Sequence, residues 1–333
     1  MMANRQSRTR VSITAALLLL ACLGLAIYGL GAGSLPLSAQ QVVEALRGAA
    51  AHNVQVIVTQ WRLPRVAMAL LLGAAMGASG AVFQSIMRNP LGSPDVMGFN
   101  TGAYSAVLIA IVLFNGSGAG ITGAALAGGL LTAGVVYLLA WRNGIQTFRL
   151  IIVGIAVRAL LVSLNTWLVI SASLESALTA GLWSAGSLNG MSWAKCLPAA
   201  VPIALALALA LAMSRRMRLL EMGDDAACAL GVPVEKSRLG LMLAGVVLTA
   251  AATAAAGPIS FIALVAPQIS RRLAGGQTLL IPLAAMTGGL LLLAADLVAQ
   301  RLFTPYQLPV GVVTVSIGGI YLIGLLIRES RKR

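Results

Sequence analysis

The feature that most constrains this chain is the recurrence of apolar runs about as long as a bilayer is thick. Residues 11–31, VSITAALLLLACLGLAIYGLG, carry no charged side chain. Nine further apolar runs follow at roughly 64–84, 95–114, 118–140, 149–171, 194–213, 239–256, 258–273, 279–302 and 309–327. A spanning helix needs about 20 such residues. It must also satisfy every backbone N–H and C=O within itself, because hydrocarbon offers no partner. Ten runs in 333 residues leave little chain for a water-soluble core. Composition agrees: 10% of residues are charged, against about 25% in soluble domains. The alternating pattern of membrane β-barrels is absent. The expected fold is all-α and polytopic, with about ten transmembrane helices. The eighth run carries Pro258 and Pro267 and is short, which suits re-entrant geometry.

The net charge of +14 does not point to nucleic acid, because the basic residues sit at the ends of apolar runs. Basic residues concentrate on the cytoplasmic side of membrane proteins. With both termini inside, 17 of the 23 basic residues fall on the inner side. These include Arg5, Arg8, Arg10, Arg88, Arg215, Arg238, Arg271, Arg272 and the terminal group Arg328, Arg331, Lys332 and Arg333. Arg47, Arg62, Arg65, Arg158, Lys195 and Arg301 remain outside or within spans. The first run resembles a signal peptide but is long for one, and more spans follow, so it reads as an uncleaved first helix.

Little in the sequence suggests catalysis. Cys22, Cys196 and Cys228 form no CxxC pair, and His52 is the one histidine. No metal site and no catalytic residue are expected. No Gly-Lys pair occurs anywhere, so the chain lacks the GxxxxGK[ST] loop that holds nucleotide phosphates.

Three polar segments interrupt the apolar runs. Segment 34–60 contains a short amphipathic helix, with Ser38 as N-cap and Gln41 as capping-box partner. Segment 173–193, with Trp183 and Trp193, reads as a helix lying on the membrane surface. Segment 214–238 is a charged island, RRMRLLEMGDDAACALGVPVEKSR within it. It reads as a short helix with Leu219 and Leu220 on its apolar side, then a turn at Gly223. A second helix capped by Asp224 or Asp225 follows and runs through Ala229 and Leu230. Gly231 closes it and Pro233 prevents continuation. An exposed module of this kind is either a docking surface or a structured connection.

Within the spans, GAAMGASG (73–80) spaces small residues by four, which suits close helix packing. RNPLGSPDVMGFN (88–100) is a bend, with Asn89 and Asp95 available to cap freed backbone. GAVFQSIMRNP faintly echoes GPISFIALVAP, as an inverted repeat of two halves would. Arg158 and Asp296 lie deepest in apolar runs. They pair with each other, or Asp296 pairs with Arg301, or they line a water-filled path. Asn165 and Thr166 form a polar stripe suited to a pathway. Arg62 and Arg65 flank Pro64, which suits a first helical turn; they anchor a helix end or meet a partner.

Two alternatives remain at this level. An ion-coupled secondary transporter would place titratable groups at mid-membrane. A membrane enzyme would need a second acidic pair to match GDDAA.

Five stretches carry a resemblance: WRLPR, RNPLGSPDVMGFNTGA, LLEMGDDAACALGV, GPISFIALVAPQISRRL and LPVGVVTVSIGGIYLI. In order and over nearly the whole chain, they resemble the iron-siderophore and vitamin B12 permeases of ATP-binding-cassette importers. The resemblance implies a non-enzymatic transport subunit in a bacterial inner membrane, which binds no cofactor itself. Its implied partners are a second, paralogous permease, two ATPase subunits that use ATP, and a periplasmic binding protein. The implied cargo is a ferric siderophore, with ferric enterobactin favoured over haem, cobalamin or another siderophore. The island, from Leu219 to Gly231, would couple to the ATPase. Arg62, Arg65 and Arg301 would dock the binding protein, although the register of Arg301 against LPVG is shifted by one. Arg158, Asn165, Thr166 and Asp296 would belong to the translocation pathway.

Overall fold

The computed structural model describes residues 2–330 apart from 34, 115, 117, 118, 143, 145, 277, 278, 304 and 305. Arg331, Lys332 and Arg333 lie outside the described residues, as do the side chains of Arg5, Arg8 and Arg328. The helices in chain order are α1 (Met2–Gly31), α2 (Ala39–Leu46), α3 (His52–Val56), a π-helical turn (Ile57–Arg62), α4 (Leu63–Met87), α5 (Phe99–Phe114), α6 (Ala119–Ala140) and α7 (Thr147–Ser171). The second part holds α8 (Leu174–Ser184), α9 (Trp193–Ala212), α10 (Ser214–Glu221), α11 (Asp224–Ala229), α12 (Val234–Ala256), α13 (Ile262–Ala274), α14 (Ile281–Arg301) and α15 (Val310–Ser330).

The fold is an all-helical polytopic membrane bundle. Seven helical stretches are long and apolar enough to cross a bilayer. Two more, in α5 and α15, are apolar but shorter. With α13 they occupy the ten apolar runs. The 13 residues of α13 reach only about 20 Å, well short of a hydrocarbon core of about 30 Å. A break at 257–261 precedes α13, with Phe261 in a left-handed conformation (φ 72°). Pro258 falls in the break, where it disfavours a regular helix, whereas α13 runs through Pro267 without interruption.

The core sits between α4 and α12, which are mostly buried, while α1 and α7 turn most of their surface outward. Contacts repeat between the two halves. α4 packs on α13 and α14, and α12 packs on α5 and α6. α5–α6 matches α13–α14, and α6–α7 matches α14–α15. Each central helix is followed by a break and a short helix, the arrangement an inverted repeat produces.

Small residues make the closest crossing possible. A Cβ added at Gly77 would fall on the carbonyl oxygen of Ala284, one at Gly73 on that of Gly288, and one at Gly80 on that of Ala263. Backbone cannot yield as a side-chain tip can. Gly80→Val is therefore expected to destabilise by at least about 3 kcal/mol, the upper end of ordinary overpacking. Gly24→Val, where a Cβ meets nothing within 4 Å, should leave stability within about 0.5 kcal/mol. Thermal unfolding of both variants in nanodiscs checks this; equal melting temperatures would refute the packing account.

The polar segments also fold. Ser38 caps α2 through a capping box: its Oγ accepts the Gln41 N–H at 3.3 Å, and Gln41 Oε1 accepts the Ser38 N–H at 2.9 Å. Pro64 sits in the first turn of α4, as expected, but the helical path extends ahead of it. That path runs continuously from His52 to Met87. Proline has no N–H for the preceding turn, and the widened π turn just before it accommodates that loss.

Candidate functional site

The charged island forms two short helices, α10 and α11, with a turn at Gly223 (φ 117°) and a close at Gly231 (φ 77°). Both angles favour glycine, since a Cβ there is strained. Two faces result. Met217, Leu220 and Ala227 are buried against the bundle. Met222 and Leu230 stand exposed, and Asp225, Cys228, Ala229 and Gly231 share their outward position. Leu219 is half-buried against the core. So Leu220 faces the body of the protein rather than any partner, a correction to its sequence-based assignment.

The aspartates also act differently from the caps expected of them. Gly223 occupies the N-cap position of α11, and no side chain caps it. Asp224 instead joins the module to both central helices. Both its carboxylate oxygens accept from Arg238 Nη2 at 2.9 Å, at the start of α12. Arg88, at the end of α4, forms the second ion pair with Asp224 and donates through Nε to Leu220 O at 3.1 Å. Arg88 holds a left-handed backbone conformation (φ 48°) to do this, a cost of order 1–2 kcal/mol for a non-glycine residue. Burial on its own would raise the Asp224 carboxyl. The hydrogen bonds and charges of Arg238 and Arg88 outweigh it and hold Asp224 below the usual carboxylate range. At the end of α10, burial raises Glu221 against the opposing charges of Arg271 and Arg218.

At the opposite rim of the bundle, Arg65 and Asp296 form a two-pronged ion pair between α4 and α14. Arg65 Nε and Nη2 donate to Asp296 Oδ2 and Oδ1 at 2.8 and 2.9 Å. Gln300 Nε2 adds a third donor to Asp296 at 2.8 Å. Asp296 thus pairs with neither Arg158 nor Arg301, and its carboxylate is sealed in the helix interface rather than set on a path. Sequence separation hid this: the partners stand 231 residues apart. Arg62 donates to the carbonyls of Leu30 at 2.8 Å and Leu35 at 2.6 Å, tying the α1–α2 connection to α4. Arg301 is exposed and lies over the Tyr28 ring, 4.8 Å from its centroid.

Arg158, Asn165 and Thr166 do come together. They line a pocket of about 460 Å³ with Asp95, Asn100, Tyr104 and Ser260. Arg158 and Thr166 are exposed on α7, and Asn165 Oδ1 is buried with no partner among the described residues. Tyr104 stacks on Trp183 beside them, with centroids 6.0 Å apart. The floor is knit across the two halves. Asp95 accepts from the Phe261 N–H and from Asn100 Nδ2, and Thr253 Oγ1 donates to Asn100 Oδ1 at 2.9 Å. Asp95 therefore links the two helix breaks rather than capping its own. Arg88, Arg238 and Asp95 are the functional candidates that local pattern could not single out. No group of three or more metal-ligating side chains occurs among the described residues.

A bundle of about ten spanning helices, a clamped polar module at one end and a polar pocket on a broken-helix floor define a helical membrane permease. The FecCD transport family matches residues 17–328, and the chain belongs to that family. It is 65% identical over 324 residues to the ferric enterobactin transport system permease protein FepG of Escherichia coli strain K12, covering 97% of this chain and 98% of that protein. The Fe(3+) dicitrate transport system permease protein FecD of the same organism is 37% identical over 311 residues, covering 93% and 96%. A solved chain described as an inward-facing conformation of a metal-chelate type ABC transporter aligns with a TM-score of 0.85 at 30% identity, covering 95% of this chain and 98% of that one. The chain is accordingly a transport subunit of an ATP-binding-cassette importer and not an enzyme. Its family implies ATPase and substrate-binding partners.

Proposed function

We propose that this chain is one of two permease subunits that together carry a ferric siderophore, ferric enterobactin, from the periplasm to the cytoplasm. The observation that carries the substrate is the near-complete alignment at 65% identity with a ferric enterobactin permease. The second permease is a paralogue of this chain. The membrane is the bacterial inner membrane, and the basic bias puts both termini and the charged island in the cytoplasm. Two ATPase subunits bind ATP there, and this chain binds no cofactor.

The outward residues Met222, Asp225, Ala229, Leu230 and Gly231 sit in a groove of the ATPase. Asp224 passes the motion to α4 and α12 through Arg88 and Arg238. On the periplasmic rim, Arg62 and Arg301 face acidic groups of the binding protein, while the charge of Arg65 is neutralised by Asp296. Such rim charges speed and orient encounter more than they add affinity. Arg158, Asn165 and Thr166 face the anionic cargo along the pathway.

Uptake of radioactive iron as ferric enterobactin, in cells lacking the gene, tests the substrate. Selective loss, restored by the intact gene, is expected. Normal enterobactin uptake with loss of a hydroxamate siderophore or cobalamin would overturn it. Arg158→Glu reverses the charge facing an anion, which costs several kcal/mol at a close contact. Uptake should fall at least about tenfold, equivalent to about 1.4 kcal/mol. Wild-type uptake would remove Arg158 from the pathway.

A further inference from the structure

A second concave site lies away from the pocket and the clamp. It is an apolar groove of about 750 Å³ between α1 and the end of α13, lined by Ile13, Leu17, Leu18, Ala21 and Leu273, with Thr9 and Arg10 at one end. From Arg10 to Ala21 the helix rises about 16 Å, close to half the hydrocarbon thickness of about 30 Å. The groove therefore runs the depth of one leaflet, with a cation at the membrane surface.

Arg10 is exposed. Its Nε donates to Leu273 O at 3.3 Å, which fixes the guanidinium beside the last turn of α13. No described residue accepts from its two terminal nitrogens. Arg271 and Arg272 share the turn that carries Leu273 but do not line the groove: Arg271 lies beside Glu221, and Arg272 lies over the Tyr321 ring. Basic pockets between helices at the cytoplasmic surface suit acidic lipid head groups. An arginine fork matches a phosphate oxygen pair better than a single ammonium does.

We propose that this groove holds one anionic phospholipid, its acyl chain along Ile13, Leu17 and Ala21 and its phosphate on Arg10. The charge of the occupant follows from Arg10, the cation at the end of the groove. Its chain length follows from the one-leaflet depth. The site ties the outer helix α1 to α13, whose break at 257–261 forms part of the pocket floor, so lipid occupancy would steady that floor.

The test uses the assembled importer, delipidated and then incubated with vesicles of phosphatidylglycerol or phosphatidylcholine, and read by native mass spectrometry. Wild type should retain phosphatidylglycerol in preference to phosphatidylcholine. Arg10→Gln should lower that retention about fivefold, the weight of one basic residue at an acidic surface. Arg10→Lys should restore part of it. Ile13→Trp, which fills the groove and leaves Arg10 in place, should lower retention of either lipid. Equal retention by wild type and Arg10→Gln would overturn the phosphate contact. Equal binding of both lipids would overturn the anionic preference, and unaltered retention by Ile13→Trp would overturn the groove.

Discussion

Asp296→Ala should be among the most damaging single substitutions in this protein, lowering its stability by about 3 kcal/mol or more. The Asp296 side chain is 2% exposed and that of Arg65 15%. Both lie at the α4–α14 interface, where Asp296 is sealed from water and Arg65 is largely buried. Removing one member of a buried pair strands the other charge, at a cost of about 3–5 kcal/mol. The pair as a whole is a different matter. Its desolvation cost nearly cancels its attraction, so Arg65→Met with Asp296→Leu should recover most of the loss. Thermal unfolding of the two single variants and the double variant in nanodiscs completes the cycle. An Asp296→Ala protein within about 0.5 kcal/mol of wild type would show that the pair holds nothing together. Arg301→Ala supplies the contrast: an exposed cation over Tyr28 contributes about 0.5–1 kcal/mol.

The second large effect concerns transport rather than folding. Leu230 is 59% exposed and makes no part of the core, so Leu230→Asp should leave the bundle intact. If it anchors the ATPase groove, losing it costs at least about 2 kcal/mol of association, as interface anchors do. That corresponds to about 30-fold weaker assembly, and iron uptake should fall at least tenfold. Asp224→Asn should act differently. The ATPase would still assemble, but Arg238, buried with its side chain 3% exposed, would lose its strongest partner. Hydrolysis should then proceed with reduced uptake. The sign of the pH effect follows from the lowered Asp224 pKa. The clamp is fully formed above about pH 4, the unfolded value, and is lost only as pH falls through the lower folded value. It therefore holds at any cytoplasmic pH. Wild-type uptake by Leu230→Asp would remove the module from coupling.

Much of the island was legible because its signals are local. Gly223, Gly231 and Pro233 mark turns by their own backbone chemistry, within a few residues of the helices they end. The Ser38–Gln41 capping box was legible for the same reason. The small residues of 73–80 pointed to a close crossing, although they could not name Gly288, Ala284 or Ala263 as the other side. The aspartates misled because a carboxylate after glycine looks like a cap, while a distant arginine outbids the local N–H groups. Pro64 marked the first turn of α4 but hid the helical residues ahead of it, because a π turn lets a helix pass through a proline.

The sequence by itself determined that the chain crosses a membrane about ten times, where its polar module lies and that it holds no nucleotide loop. These follow from run length, charge placement and residue type, all properties of short segments. Only the tertiary structure decided which charges meet. Asp224 finds Arg88 and Arg238, Asp296 finds Arg65, and Asp95 links the two helix breaks. In a low-dielectric bundle a buried charge or amide left without a partner is costly. Nothing in a chain's local order says which of several distant residues the packing of α4, α12 and α14 will bring within 3 Å.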